Sequence, residues 1–544
     1  MQHIFYVALL WVLCLPVTAR AEAPGEIGDK NFNPSELHEA FIASEAFAEK
    51  FARLLELEQQ ALALVEDEPL KVASIGAAIL DTYAASQTGH FAMARYYAHV
   101  EAKDAEASHK ARLALVQADM LASGDGTPAT PYRAMTIYDA QTYARSINHS
   151  PVGSIYQTSD EQPFSYLLVA RPEGAKLRQV FFDIRHTIDA LLHGDTALQS
   201  NTADAPWAVI RVLGTRLDTA AQTAIGALLA RNQNFDSALG WLKVASRTGN
   251  VLANNLLARI YGQLSITTED EAAEEEYREL SLENYLHAIA LGSTNSMYTL
   301  AGLYLNDYYG EDNREAAIPL LDQAGNLGHA EALLFLAHIY NVGQYVTADR
   351  QTSIEYYEKA SELDHAQSII AYARFLVADA ANDEAPIDTP IINRLTGLAK
   401  DDNAEAMIML GNLYARGVNA EASNRKAVRW YKKAVKTEPD DPDIVNEVAW
   451  TLTVSDVPKL KRIGYAHRVM ERLMTEDEAA NQRPEYLDTW AATYAAQGDF
   501  ERAIEIQNQA IETAIAQERE DVMEILQTHL DQFTTNEAIT EPAP

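Results

Sequence analysis

The one cluster of side chains whose types and spacing invite chemistry is Asp183, His186, Asp189 and His193, at intervals of three, three and four residues. On an α-helix these four share a face, and imidazole with carboxylate is a ligand set for zinc or a similar ion. Ile184, Ile188 and Leu191 fall on the opposite face. The segment therefore reads first as an amphipathic helix whose polar side meets water, and no metal is assigned to it. Other chemistry is missing: there is no Gly-x-Ser-x-Gly elbow, no phosphate loop ending in Lys-Ser/Thr, no His-Glu-x-x-His and no calcium loop. With 78 Asp and Glu residues, some pair always looks poised for glycoside hydrolysis, so no pair is diagnostic. His90, His99 and His109, nine and ten residues apart, read as surface residues. The only cysteine is Cys14, which leaves the rest of the chain without disulfides, thiolate metal sites or thiol nucleophiles. Neither an enzyme nor a resident cofactor is expected.

The cluster sits in residues 124–212, which open with Gly124-Asp125-Gly126-Thr127-Pro128 and contain Asn148-His149-Ser150-Pro151. Two apolar runs of strand length, 164–170 and 177–184, flank Arg171-Pro172-Glu173-Gly174-Ala175 and predict a small β-hairpin. A buried helix would read similarly over so short a run. The stretch is either an irregular insertion or a capping module. The alternative to a binding role for the whole chain is a carbohydrate-binding or metal-dependent enzyme module here, with the remainder as its appendage.

The remainder repeats itself. Gly249-Asn250-Val251, Gly292-Ser293-Thr294, Gly328-His329-Ala330, Asp364-His365-Ala366 and Asp402-Asn403-Ala404 step by 43, 36, 36 and 38 residues, a period that means a solenoid. Each unit reads as two helices. Tyr261, Tyr304, Tyr340, Leu376 and Tyr414 recur in the first and are packing residues, while Ala245, Ala288, Ala324 and Ala360 recur in the second, where a small side chain lets helices approach. The closing Gly, Asp or Asn tolerates the left-handed backbone that ends a helix. Two residues before the recurring aromatic stand Arg259, Gly302, His338, Arg374 and Asn412. Such variation among constant apolar neighbours marks a surface, and in this architecture first helices line the concave side. Arg259, His338, Arg374 and Asn412 are therefore the partner-binding candidates, with the arginines suited to carboxylates.

These units resemble the Sel-one-like subfamily of tetratricopeptide repeats, which shares the Gly-His-Ala-Glu-Ala and Trp-Tyr-x-x-Ala vocabulary. The best copies are 328–364, with Tyr356-Tyr357-Glu358-Lys359-Ala360, and 404–434, with Gly411, Tyr414, Gly417, Ala427, Trp430, Tyr431 and Ala434. The copy from Asp364 to Asp402 is degenerate, with Pro386 and Pro390 in its loop, and the 43-residue copy has room for an acidic insertion at 269–276. Residues 485–503, with Gln497-Gly498-Asp499-Phe500, look like an ordinary tetratricopeptide unit; Asn234-Phe235-Asp236-Ser237-Ala238 and, more weakly, 89–94 echo it. The resemblance implies an all-α superhelical solenoid of antiparallel helix pairs that serves as a protein-interaction scaffold. Exported bacterial members resemble parts of envelope or exopolysaccharide-secretion assemblies, an analogy of family only. The resulting domains are a signal peptide at 1–21, an N-terminal helical region at 22–123, the non-repeat stretch at 124–212, the Sel-one-like array at 213–436, tetratricopeptide-like repeats at 437–533 and a disordered tail or tether at 534–544.

The ends and the charge supply the setting. Residues 4–17 are an apolar run before Ala19-Arg20-Ala21, the pattern of a secretory signal cleaved after Ala21, too short to span a bilayer as a helix. The bulky Trp11-Val12-Leu13 before Cys14 argues against a lipid anchor there. A periplasmic or secreted protein with no transmembrane segment in its mature chain is expected. The net charge of −35 repels phosphate backbones, which excludes nucleic acid and favours solubility, with envelope proteins, basic ones among them, as partners.

Overall fold

The computed structural model describes residues 32–157, 165–194, 205–215, 218–381, 390–417 and 422–543. The apolar N-terminal run with its Ala21 cleavage site, and Pro386, lie outside them. The described residues divide into two compact units, up to Ser296 and from Met297 onward.

The first unit begins with helices α1 (Pro34–Ile42), α2 (Phe47–Leu64), α3 (Val72–Thr82), α4 (Gln87–His99) and α5 (Lys103–Ala122). From α2 onward each packs on the next. Gly89 sets the closest approach: a Cβ there would lie 2.8 Å from both Ile79 and Leu80 of α3. Next come β1 (Tyr132–Arg133), α6 (Ile137–Ser146), β2 (Ser150–Gln157), β3 (Ser165–Arg171), β4 (Arg178–Asp183), α7 (Arg185–Gly194) and α8 (Ala205–Thr215). The predicted hairpin is β3–β4, antiparallel, with Tyr166 opposite Phe182. The sheet is larger than the hairpin, in the order β1-β4-β3-β2 with β1 parallel to β4.

Two repeat hairpins complete the unit: α9 (Thr219–Arg231) with α10 (Phe235–Ser246), and α11 (Val251–Thr267) with α12 (Glu271–Ala290). Both faces of the sheet are covered. Tyr156, Tyr166, Leu168 and Phe182 share a core with α6, α8 and α9, while Val152, Leu167, Val169 and Phe181 pack on Val251 and Ala288. The sheet is thus packed against the first repeats on both faces. Most of the acidic segment 269–276 is helical: Asp270 caps a 20-residue α12 and residues 271–276 form its first turns, after a 17-residue α11. Extra helical turns account for the 43-residue step.

The second unit contains α13 (Thr294–Leu305, which the division crosses), α14 (Ala317–Asn326), α15 (Ala330–Val342), α16 (Arg350–Ser361), α17 (Ala366–Ala381), α18 (Ile391–Lys400), α19 (Ala404–Arg416), α20 (Asn424–Thr437), α21 (Pro442–Val454), α22 (Ile463–Glu476), α23 (Pro484–Gln497), α24 (Phe500–Ala516) and α25 (Glu520–Thr534). The repeat signals act as their chemistry requires. Gly249, Gly292, Gly328, Asp364 and Asp402 all have positive φ, and Asn250, His329 and Asn403 then cap the following helix. Ala245, Ala288, Ala324 and Ala360 are fully buried. Tyr261 stacks on Tyr277 and Tyr340 on Tyr356, each joining the two helices of a hairpin. The chain is an all-α fold of paired helices with a small sheet in its non-repeat stretch.

The tail is ordered over residues 535–543, against the expectation of disorder. Ile539 is buried, the indole nitrogen of Trp450 donates to Glu541 at 3.0 Å, and the Glu541 main chain bonds both Val454 and Asp456. One apolar side chain and a bridge to Ser455 hold a segment that polarity alone marks as free.

Candidate functional site

The starts of α9 and α11 are tied to the sheet. Asp218 caps α9 by accepting from Ala221 N at 2.8 Å and also accepts from the Tyr156 hydroxyl at 3.0 Å; burial raises its carboxyl above the usual range. Asn250 caps α11 while its amide donates to Ser154 O at 2.8 Å and Thr223 Oγ1 at 3.0 Å. The small residues Ala220, Ala221 and Ala224 of α9 face the core and leave its later turns beside two open clefts. One, of about 320 Å³, is walled by Ile155, Tyr156 and Trp207; the other, of about 580 Å³, by Phe235, Leu256 and Ile260. They share Ala227 and Arg231, so together they form one groove along α9. Arg231 and Arg259 are exposed within it, and among the described residues Gln157 and Gln263 are its other polar side chains apart from the Tyr156 hydroxyl and the Trp207 indole, with no carboxylate in either part. Two planar guanidinium forks among apolar walls suit a segment carrying carboxylates beside apolar side chains. The groove's described lining residues include no carboxylate, histidine, serine or cysteine.

The four predicted partner-binding residues fare differently. Arg259 lies in this groove. His338 is exposed on α15. Arg374 is exposed on α17 but donates to Glu405 at 2.7 Å. Asn412 is a correction, being only 6 % exposed, with its Oδ1 accepting from the Tyr431 hydroxyl at 2.7 Å. The neighbouring Gly411 makes this fit, because a Cβ there would meet the Tyr431 ring at 2.3 Å. Arg231 and Trp207 were missed. Arg231 closes the first helix of the hairpin that turns at Asn234-Phe235-Asp236, so phasing the repeat one unit earlier finds it.

The His/Asp cluster does not assemble on one helix. Asp183 ends β4 and accepts from Arg185 N at 2.8 Å and from the Arg185 guanidinium. His186 and Asp189 line a separate cleft of about 390 Å³ with His38, Glu39 and Arg133. The side chain of His193 lies outside the described residues. Among the described residues no three of His, Cys, Asp and Glu are grouped to hold a metal ion. His38 Nε2 has no hydrogen-bond partner among the described residues, and burial first, then Arg133 and His186, push its pKa down to about 4.

Two further buried groups corrected the surface reading of histidine and added a carboxylate pair. His90 is 1 % exposed, with Nδ1 3.0 Å from His109 Nδ1 and Nε2 3.0 Å from Ala84 O; burial pushes its pKa down to about 3. Glu58 on α2 accepts from Ser86 and Thr136, both at 2.6 Å, and Asp139 on α6 accepts from Gln87 N at 3.1 Å. Burial raises both carboxyls, Asp139 to about 7. These groups tie α2 and α4 to α6 in the interior.

Paired helices that bury their faces against neighbours define a helical-repeat protein, which works through its surface. Within that class the Sel1 repeat family model matches residues 330–365 and 404–436, so the hairpins α15–α16 and α19–α20 are Sel1-like repeats. The chain is similar to the Sel1 repeat protein from Oxalobacter formigenes (19% identity, covering 51% of this chain and 81% of that one, TM-score 0.36). It is similar also to c5321, a protective antigen of uropathogenic Escherichia coli displaying an SLR fold (16% identity, 64% and 81% covered, TM-score 0.34). A third likeness is to yeast Tom70 (12% identity, 89% of each chain, TM-score 0.31). No curated protein matches. Among the described residues no helix is long and apolar enough to cross a membrane.

Proposed function

We propose that this chain is an exported, non-catalytic scaffold that holds a partner protein in the groove of α9 and α11, within a cell-envelope or exopolysaccharide-related assembly. Repeat proteins of this type bind protein partners, and the exposed arginines and apolar walls of the groove support seating one there. The observation that carries the reading is that Arg231 and Arg259 line one groove in which no described carboxylate is found, in a chain of net charge −35. The overall field attracts a basic partner at long range, but salt screens it beyond about 8 Å, so the segment that seats in the groove is acidic. Export rests on the apolar run at 4–17 and Ala19-Arg20-Ala21.

The rival, an independent module in 124–212, is disfavoured because excision would expose the sheet face made by Val152, Leu167, Val169 and Phe181. The test is affinity capture from native envelope extract with the full mature chain and its R231A/R259A variant, together with the N-terminal sequence of the fractionated protein. Partners lost in the variant, and a mature chain starting at residue 22 in the periplasmic or secreted fraction, are expected. Capture indifferent to the variant, or stoichiometric metal on the purified chain, would overturn the binding reading; an uncleaved cytoplasmic chain would overturn export alone.

A further inference from the structure

α20 carries six cations, Arg425, Lys426, Arg429, Lys432, Lys433 and Lys436, and no acidic residue. Arg425, Arg429, Lys432 and Lys436 recur at helical spacing and form one stripe, with Arg425, Lys426, Arg429 and Lys436 exposed. No ion pair joins any of the six to a described carboxylate. Elsewhere in the second unit several arginines are paired, Arg374 with Glu405, Arg394 with Glu362, Arg472 with Asp440 and Arg519 with Glu485. Among the described residues this row of cations in so acidic a chain has no carboxylate counterpart.

Three polyanions fit such a row in principle, and the local packing separates them. The apolar side of α20 is consumed by the core, where Ala427, Val428, Tyr431, Ala434 and Val435 are buried. It keeps nothing to insert into a bilayer. The aromatic rings beside the row already lie under ammonium groups: Tyr414 under Lys426 at 4.7 Å, Tyr465 under Lys432 at 4.6 Å and Trp430 under Lys433 at 5.5 Å. They offer no uncovered platform there for stacking a sugar ring or a base. What remains is a straight line of charges about 16 Å long, at 1.5 Å rise per residue, with one charge per turn. Its complement is a helix that presents carboxylates one turn apart.

We propose that the outer face of α20 is a docking site for an acidic helical segment of a partner protein. Such a segment has the form that α12 itself displays, with exposed Glu271, Glu275, Glu279 and Glu283 at four-residue intervals. A second copy of the chain is the less favoured owner of that segment, since −35 on each copy opposes self-association. The site is independent of the groove on α9 and α11.

The test uses the full chain and, as probe, a labelled peptide of residues 268–290, with its E271Q/E275Q/E279Q/E283Q form as control. Equimolar phosphatidylglycerol–phosphatidylcholine vesicles and sodium alginate serve as the competing polyanions. The acidic peptide is expected to bind at low salt, to weaken as salt rises, and to lose about tenfold or more in affinity on R425E/R429E/K436E, since each exposed pair contributes little alone. The R425K/R429K variant, which keeps the charge, is expected to retain binding, and equal melting temperatures of the variants exclude unfolding as the cause. Binding of the neutral peptide as tight as the acidic one, binding unaffected by charge reversal, or tighter binding of vesicles or alginate would overturn the proposal.

Discussion

α12 and α20 occupy the same place in their repeat units, the second helix of a hairpin, and they differ almost wholly on one side. Their inward faces match: Tyr285 and Ala288 of α12 are buried, as are Tyr431 and Ala434 of α20. Their outward faces are opposites, six Glu and one Arg against six Lys and Arg with no acid. The period constrains only the side that neighbours must cover, because burial is where the free energy of a repeat lies. The exposed side is free to specify what the chain meets, and here it does so with opposite signs.

The largest effect comes from breaking what the two helices share. Tyr431→Ala removes a fully buried ring together with its bond to Asn412, and is expected to destabilise the second unit by about 3–5 kcal/mol in denaturant titration. Removing residues 537–544 strips the burial of Ile539 and the Trp450–Glu541 bond, and should cost about 1–3 kcal/mol. A pH series separates the two units. Burial raises both Glu58 and Asp139, so the stability that Asp139 contributes is complete below its ordinary value of 3.8 and lost as pH rises through about 7, and Glu58 acts in the same direction. Melting of the first unit should therefore fall across that range, and D139N should flatten the profile. The smallest effect sharpens the comparison: E275Q/E279Q on α12 and R425Q/R429Q on α20 should each leave stability within about 0.5 kcal/mol of the parent, since these side chains face water.

What could be read in the sequence follows the same division. Positions that repeat because they are buried or strained were legible: the left-handed Gly249, Gly328 and Asp402, the alanines at 245, 288, 324 and 360, and the β3–β4 hairpin. Strand β2 was not, because Pro151 and Gly153 interrupt it and a register irregularity falls between them. Asn412 and His90 looked like surface because they are polar, yet Tyr431 and His109 supply buried partners from 19 residues away in each case. Distant partners leave no local pattern. The groove was half visible, through Arg259, while Trp207 and β2 join it only by tertiary contact. The cations of α20 stood in plain view but were masked by a net charge that averages over the whole chain.

The most direct test of the partner-binding groove places a photo-crosslinking residue at Gln263, on its rim, in the full chain in its native cells. An adduct with one partner protein through an acidic segment of that partner, absent when R231A/R259A is combined with it, is the expected result. No adduct at position 263, or one that survives loss of both arginines, would contradict the account.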